Sequence, residues 1–220
     1  MKFYFAPMEG ITTAPFRRSF QEFFPGIDKF FSPFLVANQT LHFKNKEIRD
    51  ILPENNEGIP LVPQILTNKA YEMLWAVKKL QTYGYQEVNL NLGCSVPQVA
   101  KRGRGAGFLE DKDRLKFFFE EVFSGLAGMG VRLSVKTRLG TTSSQEAMEL
   151  IEIYNQYPIS ELIVHPRLMS DLYRSVPDMD TFAAMYARSR CPVCYNGDIY
   201  TVSDFQRIRE QFPDLDRVMI

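Results

Sequence analysis

Short apolar runs punctuate the chain at residues 2–8, 29–34, 60–66, 87–93, 132–139, 161–167, 192–198 and 216–220. Between most of them the apolar positions change spacing. Phe16, Phe20 and Phe23 in 14–23, then Ala70, Met73, Leu74, Val77 and Leu80 in 68–82, recur at the period of one helix face. So do Leu115, Phe118, Phe119 and Val122 in 112–125, Ala147, Leu150, Ile151 and Tyr154 in 143–154, and Phe205, Ile208 and Phe212 in 203–212. A further short helix is expected over 44–51. Ser143 with Glu146 three residues on is the pattern of a capping box. Strands that are continuously apolar and alternate with helices form parallel sheets, because crossover helices cover both faces.

Such a chain builds either an open doubly wound sheet or a closed barrel, and the polar residues decide between them. They stand at the C-terminal ends of many runs: Met8 and Glu9, Gln64, Asn91 with Cys94, Lys136, His165, and Asn196 with Asp198. A barrel gathers all those ends around one mouth, whereas an open sheet concentrates its site at one switch point. The expected fold is therefore α/β, a (β/α)8 TIM barrel occupying residues 1–220 as one domain. The pattern stops at Ile220, so the barrel is expected to be truncated in or just after strand eight, without its last helix.

Composition adds limits. Of 220 residues 45% are hydrophobic and 24% charged, with 26 cationic and 26 acidic side chains, so only local patches could attract a polyanion. Three cysteines make no disulfide framework, which suits a reducing cytoplasmic setting. The apolar stretch before Pro7 is too short for a secretory signal, and no run approaches the ~18 residues a membrane span needs.

Several residues carry candidate chemistry. Gly93 ends the alternation of "VNLNLGC", permits a sharp turn and lies on one face with Asn91, so Asn91 and Cys94 can both face the mouth. Cys94 there could be a nucleophile, a general acid, a metal ligand or a small buried apolar group. Lys136, inside the apolar "RLSVKTRLG", needs a partner. Glu9, an anion, a flavin or a Schiff-base carbonyl would serve. His165 is one of only two histidines, and a backbone carbonyl could satisfy it; His42, in a loop, has no assigned chemistry. "NGD" at 196–198 is a turn at the end of strand seven, where barrels bind phosphate. "KRGRGAG" reads as a flexible loop with three cations, Lys101, Arg102 and Arg104. "CPVC" leads into a strand and lacks a second pair, so its cysteines are structural and no metal site is expected.

Taken together, "APMEGITTAPFR" (6–17), "PQIL" (63–66), "NLNLGC" (89–94), "GAGFL" (105–109), "VKTRLG" (135–140), "VHPR" (164–167) and "NGDI" (196–199) resemble the tRNA-dihydrouridine synthases, in the same order and over essentially the whole chain. The resemblance implies an FMN-dependent barrel that reduces the C5–C6 double bond of selected tRNA uridines, with NADPH or NADH as reductant. It implies that Pro7, Met8 and Glu9 line the isoalloxazine, Gln64 hydrogen-bonds it, Lys136 meets its N1/O2 side and His165 lies near its ring or phosphate. Asn196, Gly197 and Asp198 would bind the ribityl-phosphate arm, Asn91 would orient the uracil, and Cys94 would protonate C5. Lys101, Arg102, Arg104, Arg138 and Arg167 are candidates for RNA phosphate at the rim. A cytoplasmic monomer acting on tRNA, without an obligate protein partner, is the expected working form.

The chain departs from the family pattern at Ser95, where proline is usual after the cysteine, and at Pro166, which removes a backbone donor. A phosphate loop after strand eight and a C-terminal helical tRNA-binding domain are expected to be absent, so this piece is expected to bind FMN and tRNA more weakly than a longer chain. Three other readings use the same residues: an FMN barrel reducing a free pyrimidine, a flavin-free RNA-binding barrel, and a Schiff-base lyase using Lys136.

Overall fold

The computed structural model describes residues 1–37 and 40–220. Nine strands are present: β1 (Lys2–Phe5), β2 (Lys29–Phe31), β3 (Leu61–Val62), β4 (Gln64–Ile65), β5 (Glu87–Leu92), β6 (Arg132–Gly140), β7 (Leu162–Leu168), β8 (Val193–Asn196) and β9 (Arg217–Met219). They form one sheet in the order β3-β2-β1-β9-β8-β7-β6-β5-β4, every pair parallel. The two ends of that order flank Pro63, so β3 and β4 are one stave facing β2 below the proline and β5 above it. Pro63 has no N–H to give the ladder. Its carbonyl accepts Asn89 N–H at 2.9 Å, which keeps the stave attached to β5. The result is the expected eight-stave barrel.

Helices α1 (Ala14–Phe23), α2 (Asn45–Ile51), α3 (Ala70–Gln81), α4 (Pro97–Ala100), α5 (Lys112–Leu126), α6 (Glu146–Tyr154), α7 (Met179–Arg188) and α8 (Val202–Gln211) connect the staves, with 3-10 turns at Pro53–Asn55 and Gly105–Glu110. The apolar spacing does not predict α7. Only Phe182 and Met185 are buried on it, too few to show a period, and its start is marked instead by Asp178, which accepts the Thr181 N–H at 3.0 Å. The expected capping box of α6 forms by half. Glu146 accepts the N–H groups of Thr141, Thr142 and Ser143, but Ser143 Oγ accepts only from Gln145. Burial works against the Glu146 charge, yet those donors and Lys112 pull its pKa down to about 2. Its contribution is present above the ordinary carboxylate range and is lost as pH falls toward 2.

Side-chain alternation divides the barrel wall into two faces. Val88, Leu90, Leu92, Leu133 and Val135 point outward into the layer shared with the helices, and none is more than 1% exposed. Burying each such side chain stabilises by about 1.5–3 kcal/mol. Tyr4, Phe31, Val62, Ile163, Cys194 and Met219 form a separate apolar plug inside the barrel. Below the plug, at the N-terminal ends of the staves, Lys29, Glu87, Glu161, Arg217 and the Tyr4 hydroxyl make a network of ion pairs and hydrogen bonds. Above it the inward positions turn polar: Asn89 and Asn91 on β5, Ser134 and Lys136 on β6, His165 on β7 and Asn196 on β8. Among the described residues no helix is long and apolar enough to cross a membrane.

Candidate active site

The mouth is organised by a chain of side-chain amides. Asn91 Oδ1 accepts the backbone N–H groups of Gly93 (3.0 Å) and Cys94 (2.9 Å), which fixes its amide orientation. Its Nδ2 must then donate, and does so to Gln64 Oε1 at 2.7 Å. That makes Gln64 Nε2 the donor to Asn89 Oδ1 (2.8 Å), and Asn89 Nδ2 the donor to Ser134 Oγ (3.0 Å). Ser134 in turn donates to Val88 O at 3.3 Å. The polarity of the whole chain is thus set by two backbone amides. One N–H each remains on Asn91 and Gln64, so what these residues can offer a ligand is a donor for an oxygen or ring nitrogen.

Cys94 is half-buried on the loop that follows β5. Burial pushes its thiol pKa up, against a Val96 N–H bond and the nearby Arg138 and Lys136 charges. It is therefore a thiol at neutral pH, suited to giving a proton and poorly suited to nucleophilic attack. The segment behind it is not the flexible loop expected from "GRGAG". It is a buried 3-10 turn, Gly105–Glu110, whose Ala106 N–H donates to Cys94 O at 2.9 Å. The glycines serve close packing. A Cβ on Gly105, which has φ +56°, would lie 2.6 Å from Cys94 O, and one on Gly107 would lie 2.2 Å from Ala100 O. Gly105→Ala is expected to lower stability by about 1–3 kcal/mol and to speed alkylation of Cys94 as the loop is pushed away. Urea unfolding and peptide-resolved alkylation would check both.

Lys136 faces the same interior, half-buried, opposite Asn91 in the β5–β6 register. It forms no ion pair among the described residues, so of the partners open to it Glu9 is not used. Desolvation and then Arg138 lower its pKa to about 8. It holds fewer protons folded than unfolded between pH 8 and its ordinary value near ~10.5. Stability is therefore expected to rise across that range, while affinity for an electron-rich ligand falls as the ammonium is lost. Lys136→Met should flatten both trends, read by chemical denaturation and ligand titration against pH.

His165 is neutral, its pKa brought down to about 2 by burial and by the Lys136, Arg138 and Arg167 charges. Its Nε2 accepts from Arg167 at 2.9 Å, which places the proton on Nδ1. The structure thus brings together Gln64, Asn91, Cys94, Lys136, His165 and Asn196, whose Nδ2 donates to Met219 O at 3.0 Å. Gly197 packs behind them against Tyr195 and Pro166. Pro7 is half-buried at the end of β1, whereas Met8 and Glu9 are exposed. Glu9 also lines a cleft of about 730 Å³ between α1 and α2.

Two assignments need correction. Arg138 is 1% exposed and donates to Gly93 O (2.9 Å), Leu168 O (2.8 Å) and Leu172 O (2.7 Å) with Tyr173 over its guanidinium, so it is a loop clamp and not a rim cation. Arg167, 5% exposed, makes a two-point ion pair with Asp198 at 2.8 and 2.5 Å and also donates to Ser175 O, so it too is withdrawn from the rim. The Asp198 carboxylate is thus engaged by Arg167. Of the other cations, Arg104 pairs with Glu72 at 3.2 Å, while Lys101 and Arg102 are exposed. Lys69 and Arg114, which sequence reasoning did not single out, join Arg102 and Arg104 around a groove of about 500 Å³. They come from separate loops, and only the fold shows that they share a surface.

A closed parallel barrel with polar groups at the C-terminal ends of its staves is the architecture of many enzymes, and similar solved structures show how little the fold alone decides. Histamine dehydrogenase from Rhizobium sp. 4-9 superposes with a TM-score of 0.71 at 12% identity, covering 100% of this chain and 43% of that one. Morphinone reductase gives 0.66 at 10% identity, covering 99% and 81%. A GH18 chitinase from Pseudoalteromonas aurantia gives 0.60 at 13% identity, covering 100% and 93%. The family model for dihydrouridine synthase (Dus) matches residues 4–220, and the chain belongs to that family. It is 26% identical over 221 residues to tRNA-dihydrouridine synthase B of Pasteurella multocida, covering 100% of this chain and 64% of that protein. It is 27% identical to a probable tRNA-dihydrouridine synthase of Rhodobacter capsulatus, covering 94% and 62%. The chain therefore spans less than two thirds of the length of these curated relatives.

Proposed function

We propose that this chain is the catalytic barrel of a cytoplasmic tRNA-dihydrouridine synthase, which reduces the C5–C6 bond of a tRNA uridine. The observation that carries the reading is an unpaired ammonium, Lys136, and a protonated thiol, Cys94, facing one polar mouth in a member of the family. The donor set suits FMN: the Lys136 ammonium, the Nδ1–H of neutral His165, and one free N–H on Gln64; Pro7, Met8, Glu9, Asn196, Gly197 and Asp198 would complete the site. When bound, FMN would supply hydride to C6 of the uracil, and NADPH or NADH would restore it.

The protein's own part is the proton. Hydride addition leaves negative charge over O4 and C5, and Cys94 Sγ–H delivers its proton to C5, forming the second C–H bond. The remaining Asn91 N–H binds a uracil carbonyl oxygen; its own oxygen, already accepting two N–H groups, is not available to the ring N3–H. Lys136 stabilises the accumulated negative charge electrostatically. A uridine reaches this mouth only when turned out of the RNA stack, and the exposed Lys101 and Arg102, with Lys69 and Arg114 of the basic groove, would hold flanking phosphates.

The test is to titrate the chain with FMN, add NADPH and unmodified tRNA, and count dihydrouridine. Flavin retention with product in tRNA is expected. Failure to retain flavin overturns the reductase, and reduction of free uracil without tRNA turnover moves the substrate to a small pyrimidine.

A further inference from the structure

We infer that Asn89 and Ser134 are positioning residues for the Cys94 loop, acting from inside the barrel through Gln64 and Asn91. Both are 0% exposed and lie below the mouth, out of reach of any ligand there. Apart from the β5 main chain that Asn89 shares with Asn91, their reach upward is through hydrogen bonds. Ser134 accepts from Asn89 (3.0 Å), Asn89 from Gln64 (2.8 Å) and Gln64 from Asn91 (2.7 Å), and the Asn91 oxygen holds the N–H groups of Gly93 and Cys94.

This chain has one stable polarity. A primary amide can turn over by 180° with little change of shape, and each of the three amides is kept from doing so by its neighbours. If Asn89 offers no acceptor, Gln64 Nε2 loses its fixed partner and Gln64 can present either end to Asn91. A turned Gln64 would present N–H to N–H and drive Asn91 off the Gly93 and Cys94 amides. The peptide unit before the thiol is held from its other side by Arg138 on Gly93 O at 2.9 Å. The loop therefore pivots on that point, and the thiol is displaced while the barrel stays intact. The role of Cys94 as proton donor rests on the proposed function; the positioning itself does not.

The experiment uses the 220-residue chain and the variants Asn89→Leu, Ser134→Ala and Ser134→Thr. Hydrogen exchange of the Gly93 and Cys94 amides is followed with peptide-resolved iodoacetamide alkylation of Cys94. Buried Cys194 reports general opening. Loss of one supporting bond is expected to speed exchange and alkylation roughly 10-fold in Asn89→Leu, and less in Ser134→Ala. Ser134→Thr, which keeps the hydroxyl, should restore wild-type values, and Cys194 and the β5–β6 ladder should stay protected in all three. Unchanged Gly93 and Cys94 exchange in folded Asn89→Leu overturns the inference. So does acceleration shared by Cys194 and the ladder, since that is the behaviour of ordinary core residues; if Asn89→Leu does not fold, Ser134→Ala against Ser134→Thr decides by the same criteria. Because no flavin or tRNA is needed, a wild-type chain without reductase activity would remove the functional reading and leave this result standing.

Discussion

Cys94→Ala is expected to retain flavin and reduce uridine about 10²–10⁴ times more slowly than the parent chain, the usual contribution of a placed general acid. The thiol is half-buried, its loop is fixed by Asn91 and Arg138 through the main chain, and its pKa is raised by burial. None of those main-chain bonds involves sulfur, so the alanine variant keeps the loop and loses only the proton. The expected pH profile has a sign. Cys94 must be protonated to act, so activity is level through neutral pH and falls on the alkaline side. Lys136, with a pKa near about 8, contributes to the same fall, and the two separate in Lys136→Met, where the remaining limb should move up toward the thiol. Cys191→Ala is the control: that thiol sits just before β8, at the barrel end opposite the mouth, bonded to Ser189. An unchanged rate in folded Cys94→Ala would keep the reductase and transfer the acid role elsewhere.

The staves were readable because both of their faces are buried. Leu90 and Leu92 on β5 alternate with Asn89 and Asn91, and Val135 on β6 stands between Ser134 and Lys136, the two-residue period of a strand. The division of the third stave at Pro63 was not readable, since it depends on which neighbour lies on each side of the proline. The polar residues of the mouth were found because they follow apolar runs. Their partners were not. Arg138 and Arg167 look like rim cations in a list of charges. Yet each stands two residues beyond an inward-facing residue, Lys136 or His165, and that alternation was the available signal for burial. The amide chain was out of reach for a different reason. Asn89 alternates with Asn91 in plain view, but its bonds run to Gln64 and Ser134 on neighbouring staves, and only the barrel register brings them opposite.

Glu161→Ala is expected to be the most destabilising single substitution at the closed end of the barrel, lowering stability by about 3–5 kcal/mol. The carboxylate is 1% exposed at the foot of β7 and is shared by Lys29 (3.0 Å), Arg217 and the Tyr4 hydroxyl (2.8 Å). Removing it leaves Lys29 dependent on Glu87 and Arg217 on the exposed Asp216, with the Tyr4 hydroxyl unpaired under the apolar plug. Tyr4 cannot compensate by ionising, because burial and then Glu161 itself drive its pKa far above the ordinary phenol value, and burial persists in the variant. Tyr4→Phe removes one donor and should lose only about 1–3 kcal/mol. Glu161→Gln, which keeps an acceptor for tyrosine but not the charge, should fall between the two. Urea midpoints at constant slope give the order. Against a typical total of about 5–15 kcal/mol, the alanine variant would be partly unfolded at modest denaturant. Salt should do little to narrow the differences, since a buried cluster is weakly screened. A loss below about 1 kcal/mol in Glu161→Ala would mean that Glu87 and Asp216 can carry both cations, and that the apolar plug alone closes this end of the barrel.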